Sequence, residues 1–138
     1  MAAGETRLVG IDTNVLLRYL LRDDDHQFRL ADEVFGSLTA QEPGFITHVT
    51  LAEVYWVLTR SVRLHRARSL AVIRQLVETD CLEFEDGETV VRALDLAEQG
   101  ADFPDALIQG SMEQFGATET VTFDRKAADS LGWRLLGR

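Results

Sequence analysis

Short apolar strands alternating with helices from one end of the chain to the other predict an α/β domain on a mostly parallel, doubly covered sheet. Three observations carry this prediction. Apolar runs of strand length recur at 8–11, 45–47, 82–84, 120–123 and 133–136. Between them lie longer stretches whose apolar residues recur at helical spacing. No internal repeat, low-complexity tract or linker interrupts the alternation, and 138 residues suit a single domain.

The first strand, 8–11, ends at Asp12, and residues 13–22 follow as a mostly buried helix with apolar positions 15, 16, 17, 19, 20 and 21. Asp23, Asp24 and Asp25 make a turn and N-cap cluster. Residues 26–41 carry a helical stripe at 28, 30, 31, 34, 35 and 38, broken by Pro43-Gly44. The strand at 45–47 leads into a strongly apolar helix over 50–62, and a further helix spans 66–78. The alternation Leu82-Glu83-Phe84 reads as the third strand, with Cys81 opening it as a core residue. Residues 87–99 form a helix ended by Gly100, and 104–115 another, with Pro104 in its first turn and Gly116 at its end. The fourth strand, 120–123, precedes a short helix over 124–131, and 133–136 is the fifth strand.

Composition narrows the function classes. Hydrophobic residues at 46% and charged residues at 27% lie near the globular average, which argues against disorder. The lone Cys81 excludes a disulfide framework and a cysteine-based zinc site, and fits a reducing cytosol. The longest stretch without Asp, Glu, Lys or Arg is 43–52, short of the roughly 20 residues a membrane span needs. Residues 1–7 lack a basic-then-apolar leader pattern, so a soluble cytoplasmic protein with no membrane association is expected. The formal net charge of −9 is unusual for a protein that binds nucleic acid by charge alone, so a local basic face or bound cations would be needed. The charge is unevenly placed: residues 54–77 hold Arg60, Arg63, Arg66, Arg68 and Arg74 and no acid.

Ligands of open parallel α/β sheets sit beyond the carboxyl ends of the strands. Asp12 ends the first strand, Asp124 the fourth, Asp102 and Asp105 flank the start of the helix at 104, and Glu53 lies one turn into the helix after the second strand. Each has a plain structural reading. Asp12, Asp102 and Asp124 suit N-caps, Asp105 suits the positive end of a helix, and Thr50-x-x-Glu53 matches a capping box. As a set they suggest more: Asp102-Phe103-Pro104-Asp105 holds two acids where one cap suffices, and Asp124 follows a Thr-Phe pair read as buried. Clustered carboxylates repel and need a proton or a cation, and hard oxygen donors suit Mg²⁺ or Mn²⁺. Such an ion activates water, and two ions roughly 4 Å apart would clamp a phosphodiester.

Four blocks, Ile11-Asp12-Thr13-Asn14-Val15-Leu16-Leu17-Arg18, Leu51-Ala52-Glu53-Val54, Ala101-Asp102-Phe103-Pro104-Asp105-Ala106-Leu107-Ile108 and Val121-Thr122-Phe123-Asp124-Arg125-Lys126-Ala127, stand in the order found in PIN-domain nucleases. The chain resembles that family over 8–136, and more narrowly the VapC-type toxins of bacterial toxin–antitoxin pairs. The resemblance implies a three-layer α/β/α fold with a mostly parallel central sheet of about five strands. It implies a Mg²⁺- or Mn²⁺-dependent endoribonuclease in which metal-activated water hydrolyses RNA to 5′-phosphate and 3′-hydroxyl ends. Carried over by position, Asp12, Glu53, Asp105 and Asp124 are the catalytic, metal-holding quartet. Asp102 is an additional acid, and Thr122 and Asn14 help order the site. A proline stands at 104 where many relatives have a small residue, a harmless departure at a helix start.

Arg18, Arg22, Arg125 and Lys126 neighbour these residues in sequence and are candidate phosphate contacts, with surface charge as the alternative. No histidine base is required, so His26, His48 and His65 read as helix-start or surface residues, although His48 lies near the end of the second strand. The arginine stretch 60–74 reads either as an RNA groove or as a solvated helix face, and no aromatic lies inside it. Phe28, Phe35, Tyr55 and Trp56 suit core packing. By the resemblance they are, with Leu30, candidates for a groove receiving a VapB-type antitoxin, and a homodimer is expected. Three alternatives remain at this level: another acidic-pocket α/β enzyme, such as a phosphatase or receiver domain; a PIN nuclease of RNA processing rather than a toxin; and a non-catalytic interaction module whose acids are caps. The first fits poorly, because Asp12-Thr13-Asn14 lacks a second acid and Lys126 stands only two residues after Asp124.

Overall fold

The computed structural model describes residues 7–137. The leader-pattern reading of residues 1–7 falls almost wholly outside them. The strands are β1 (Val9–Gly10), β2 (Gly44–Ile46), β3 (Leu82–Phe84), β4 (Val121–Thr122) and β5 (Arg134–Leu135). The helices are α1 (Thr13–Leu21), α2 (Asp25–Ser37), α3 (His48–Trp56), α4 (Arg66–Val77), α5 (Gly87–Glu98), α6 (Phe103–Gln114) and α7 (Arg125–Leu131), with a π-helical turn, Val57–Ser61, extending α3.

Every strand pairing is parallel, as the alternation of strand and helix requires. The five strands do not hydrogen-bond as one sheet: β1-β2-β3 form one and β4-β5 a second. Strands of two or three residues offer few ladder groups, so the expected central sheet is small and the helices supply most of the core. Phe103, Leu16, Leu51, Val54, Leu58, Ile73, Val90 and Leu94 are fully buried helical residues, joined by Ile46 of β2. Helix α3 packs against α1, α4 and α6 and buries Leu51, Val54 and Tyr55, which makes it the central helix.

Three local expectations change. Helix α3 starts at His48 because the Thr47 hydroxyl accepts from the Thr50 amide at 3.2 Å and Glu85 accepts from the His48 amide at 2.9 Å. The capping box is therefore not Thr50–Glu53, and Glu53 is free of cap duty. Cys81 is only part-buried and stands at φ 68 in the turn before β3, not in the core. Phe123 is 83% exposed rather than buried, because β4 ends at Thr122 and the chain turns outward before α7.

Candidate active site

The cap readings of three acids are correct as local geometry. Asp12 N-caps α1 by accepting from the Val15 amide at 2.9 Å. Asp102 caps α6 through the Asp105 amide at 3.2 Å, and Asp124 caps α7 through the Lys126 amide at 2.9 Å and the Ala127 amide at 3.4 Å. The Thr122 hydroxyl accepts from the Asp124 amide at 2.9 Å, so Thr122 fixes the backbone that presents Asp124. Each cap stands where a loop turns into a helix.

Asp12 and Glu53 line one cleft of about 720 Å³ together with Thr13, Asn14, Leu17, Ala52, Trp56, Val57 and Pro104. The Thr13 hydroxyl donates to the Glu53 carboxylate, which ties α1 to α3 across this cleft. Thr13 is a cleft residue that the sequence does not single out; its only signal there is a hydroxyl directly after Asp12. Pro104 carries the cleft wall to the Asp102–Asp105 run. Asp105 is half-buried, and burial first, then the neighbouring carboxylates of Asp102 and Asp124, push its carboxyl above the ordinary carboxylate range. Like charge thus accumulates around Asp105, the condition that a cation relieves.

The quartet does not form a closed ligand shell. Among the described residues no group of three or more His, Cys, Asp or Glu side chains stands at metal-ligating spacing. The carboxylates are instead turned to their own partners: Asp12 and Asp124 to helix amides, Glu53 to Thr13. Hard, mostly exposed oxygen donors of this kind fit a hydrated Mg²⁺ or Mn²⁺, which keeps several waters and takes one or two carboxylates.

The outer residues divide. Arg125 and Lys126 are exposed in the first turn of α7 beside Asp124. Arg18 and Arg22 are engaged elsewhere: Arg18 pairs with Asp23 at 3.2 Å and lines a groove between α1 and α2, and the Arg22 guanidinium lies 4.5 Å from the centre of the Phe28 ring. His48 stands beside Asp86, away from the cleft, and His65 caps α4 by accepting from the Ala67 amide at 3.1 Å. The five residues read as an antitoxin groove divide between several surroundings. Phe28 and Phe35, seven apart, stack on Tyr19, whereas Leu30, two residues from Phe28, lines the α1–α2 groove. Tyr55 is 5% exposed against Phe103, and Trp56, the next residue round the helix, is 53% exposed at the cleft. The arginine stretch also divides. Arg66 donates to the Ala97 and Ala101 carbonyls and so braces the loop that presents Asp102. Arg74 pairs with Asp95 and Glu98.

The PIN domain family model matches residues 9–130, most of the chain. The chain belongs to the PIN-domain family. Membership carries a nuclease-type function, hydrolysis of a nucleic-acid substrate, and PIN-domain nucleases generally use divalent metal ions. No curated protein and no solved structure matches the chain. None of its described helices is long and apolar enough to cross a membrane.

Proposed function

We propose that this PIN domain is a Mg²⁺- or Mn²⁺-dependent endoribonuclease, the toxin of a type II toxin–antitoxin pair, acting in the cytoplasm as a homodimer held in check by a VapB-type antitoxin. One observation carries the enzymatic reading: Asp12 and Glu53 share a cleft whose wall runs through Pro104 to the charge-crowded Asp105. The toxin assignment rests on the four sequence blocks. A divalent cation bound there supplies activation of water and neutralisation of phosphate charge. Asp12, Glu53, Asp105 and Asp124 would hold it. Thr13 orients Glu53 through its hydroxyl, and Thr122 orients Asp124 through its backbone. Arg125 and Lys126 offer positive charge beside Asp124 to steer the RNA backbone.

The test is incubation of the purified protein with total RNA in Mg²⁺, Mn²⁺ or EDTA, beside Asp105→Asn. Discrete, metal-dependent fragments that vanish in the variant support the reading. Intact RNA from folded, antitoxin-free protein rejects it. The second reading, an interaction module, has the three realised caps in its favour. It predicts variants that lose stability and no activity.

A further inference from the structure

We propose that Trp56, Arg60 and Arg63 form a platform beside the acidic cleft on which an unpaired RNA base stacks while the flanking phosphates meet the two guanidinium groups. The proposal rests on the nuclease reading of that cleft and says how the strand enters it.

Trp56 is the outward-facing aromatic of a helix that is otherwise central to the core. Leu51, Val54 and Tyr55 are buried, yet the adjacent indole is half exposed. It lines the acidic cleft with Asp12 and Glu53, and it also lines a second cleft of about 700 Å³ with Tyr55, Thr59, Arg60, Arg63, Asp102 and Pro104. Trp56 is therefore a wall shared by an acidic chamber and an arginine-bearing one. Glu53 and Trp56 stand three apart on α3, neighbours on the same helix surface.

The backbone after Trp56 departs from regular helix in a way that serves this arrangement. Val57–Ser61 is a π turn closed by the Val62 amide on the Val57 carbonyl at 2.9 Å, a feature frequent at functional sites. Across it the Arg60 guanidinium lies 5.2 Å from the centre of the Trp56 ring, within cation–π range. Arg63 holds φ at 60, in the left-handed region where a residue with a side chain is disfavoured. Both side chains differ from their neighbours in what they do. Arg66 and Arg74 are committed to carbonyls and carboxylates of the α5 region, whereas Arg60, Arg63 and Arg68 enter no ion pair among the described residues, and of these Arg60 and Arg63 line the cleft that Trp56 walls. An exposed indole with one guanidinium over its ring and a second beside it, neither paired to a carboxylate, is the composition of a single-strand platform: a base stacks on the free part of the ring, and the cations track the backbone. It also answers the −9 net charge, since a local basic wall stands where the polyanion must pass.

The test uses the full chain carrying Trp133→Phe, so that Trp56 is the sole tryptophan and its emission reports directly. Binding is read in EDTA at low salt, where metal-dependent cleavage cannot interfere, with a dye-labelled unstructured RNA of about 12 nucleotides and its duplex, whose anisotropy gives the affinity also of variants without tryptophan. Single-stranded RNA is expected to quench the Trp56 emission and the duplex to leave it nearly unchanged. Trp56→Ala should weaken single-strand binding about 10- to 100-fold, and Trp56→Phe should restore most of it. Arg60→Ala with Arg63→Ala should lower the slope of log affinity against log salt by about 1.4, two phosphate contacts on a single strand. Absence of single-strand binding, or binding without quenching and unaffected by Trp56→Ala, overturns the platform; the latter is the outcome if a protein partner covers Trp56 instead. Cleavage in Mn²⁺ that is equally efficient in Trp56→Ala removes the platform and leaves the nuclease. Quenching and Trp56-dependent binding without cleavage in any metal removes the nuclease and leaves the platform.

Discussion

Replacing Asp12 separates its two roles, because asparagine can keep one of them and alanine neither. The Asp12 carboxylate accepts from the Val15 amide at 2.9 Å, and its residue lines the cleft with Glu53. Asp12→Asn would keep an acceptor for that amide, and asparagine ranks with aspartate as an N-cap, so the variant loses only a charge–dipole contribution of about 0.3–1 kcal/mol. Asp12→Ala loses the cap as well, about 1 kcal/mol, or roughly 3–5 °C in Tm for a domain of this size. Starting from a stability of about 5 kcal/mol or more, a loss of 1 kcal/mol leaves the protein almost wholly folded, so unfolding cannot lower its activity measurably. The catalytic role predicts a different ordering. In that role both variants would lose a carboxylate that acts on the reacting phosphate, and RNA cleavage should fall about 100-fold or more in each. Thermal melts and initial cleavage rates on the same samples give the comparison. Asp12→Asn with near wild-type cleavage would refute the catalytic assignment and leave Asp12 as a cap.

Three further outcomes follow from the same geometry. The Asp105 carboxyl is raised in the folded state by burial and by Asp102 and Asp124, so the stability it contributes is present below its unfolded value near pH 4 and is lost as pH rises through the folded value. Asp105→Asn should therefore raise Tm at pH 7, with the gain over wild type shrinking as the pH is lowered, checked by melts across pH 4–8 (about the carboxylate-to-neutral range). Mn²⁺ should raise the Tm of the wild type, by about 2.7 kcal/mol of added stability at a hundredfold excess over its Kd, and by less in Asp105→Asn; an equal shift in both would remove Asp105 from the metal site. Gly110→Ala should destabilise by about 1–2 kcal/mol despite its helix-propensity gain, because the new Cβ would lie 2.2 Å from Thr89 Cγ2. Thr89 cannot easily swing aside, since its hydroxyl donates to Asp86 at 2.7 Å; adding Thr89→Ser, which deletes that methyl, should restore most of the loss in urea unfolding.

Much of the α/β order was legible, and for identifiable reasons. Helix limits marked by punctuation came through: Gly100 and Gly116 take positive φ just beyond helices, and Pro104 sits in the first turn of α6. The caps Asp12, Asp102 and Asp124 were legible because a cap is a local bond to an amide two or three residues on. The start of α3 was not, since Thr47 and Thr50 offer equivalent local patterns and Glu85, 37 residues away, supplies the deciding acceptor. Phe123 misled because composition reports hydrophobicity and not which side of a turn a ring leaves from.

Periodicity, capping and motif order are local properties of the chain, so the parallel α/β class, the family and the cap roles of Asp12, Asp102 and Asp124 are written in the sequence. Tertiary structure alone decided what stands beside what. It placed Thr13 on Glu53, set Asp105 within reach of Asp102 and Asp124, and put Trp56 between an acidic and an arginine-lined cleft. It also split one arginine run into Arg66 and Arg74, held by carbonyls and carboxylates, and Arg60, Arg63 and Arg68, which enter no ion pair among the described residues and of which the first two line the cleft beside Trp56. The physical reason is that these relations depend on how α3 packs against α1 and α6. That packing is set by burial of side chains far apart in sequence, whose partners no local pattern names.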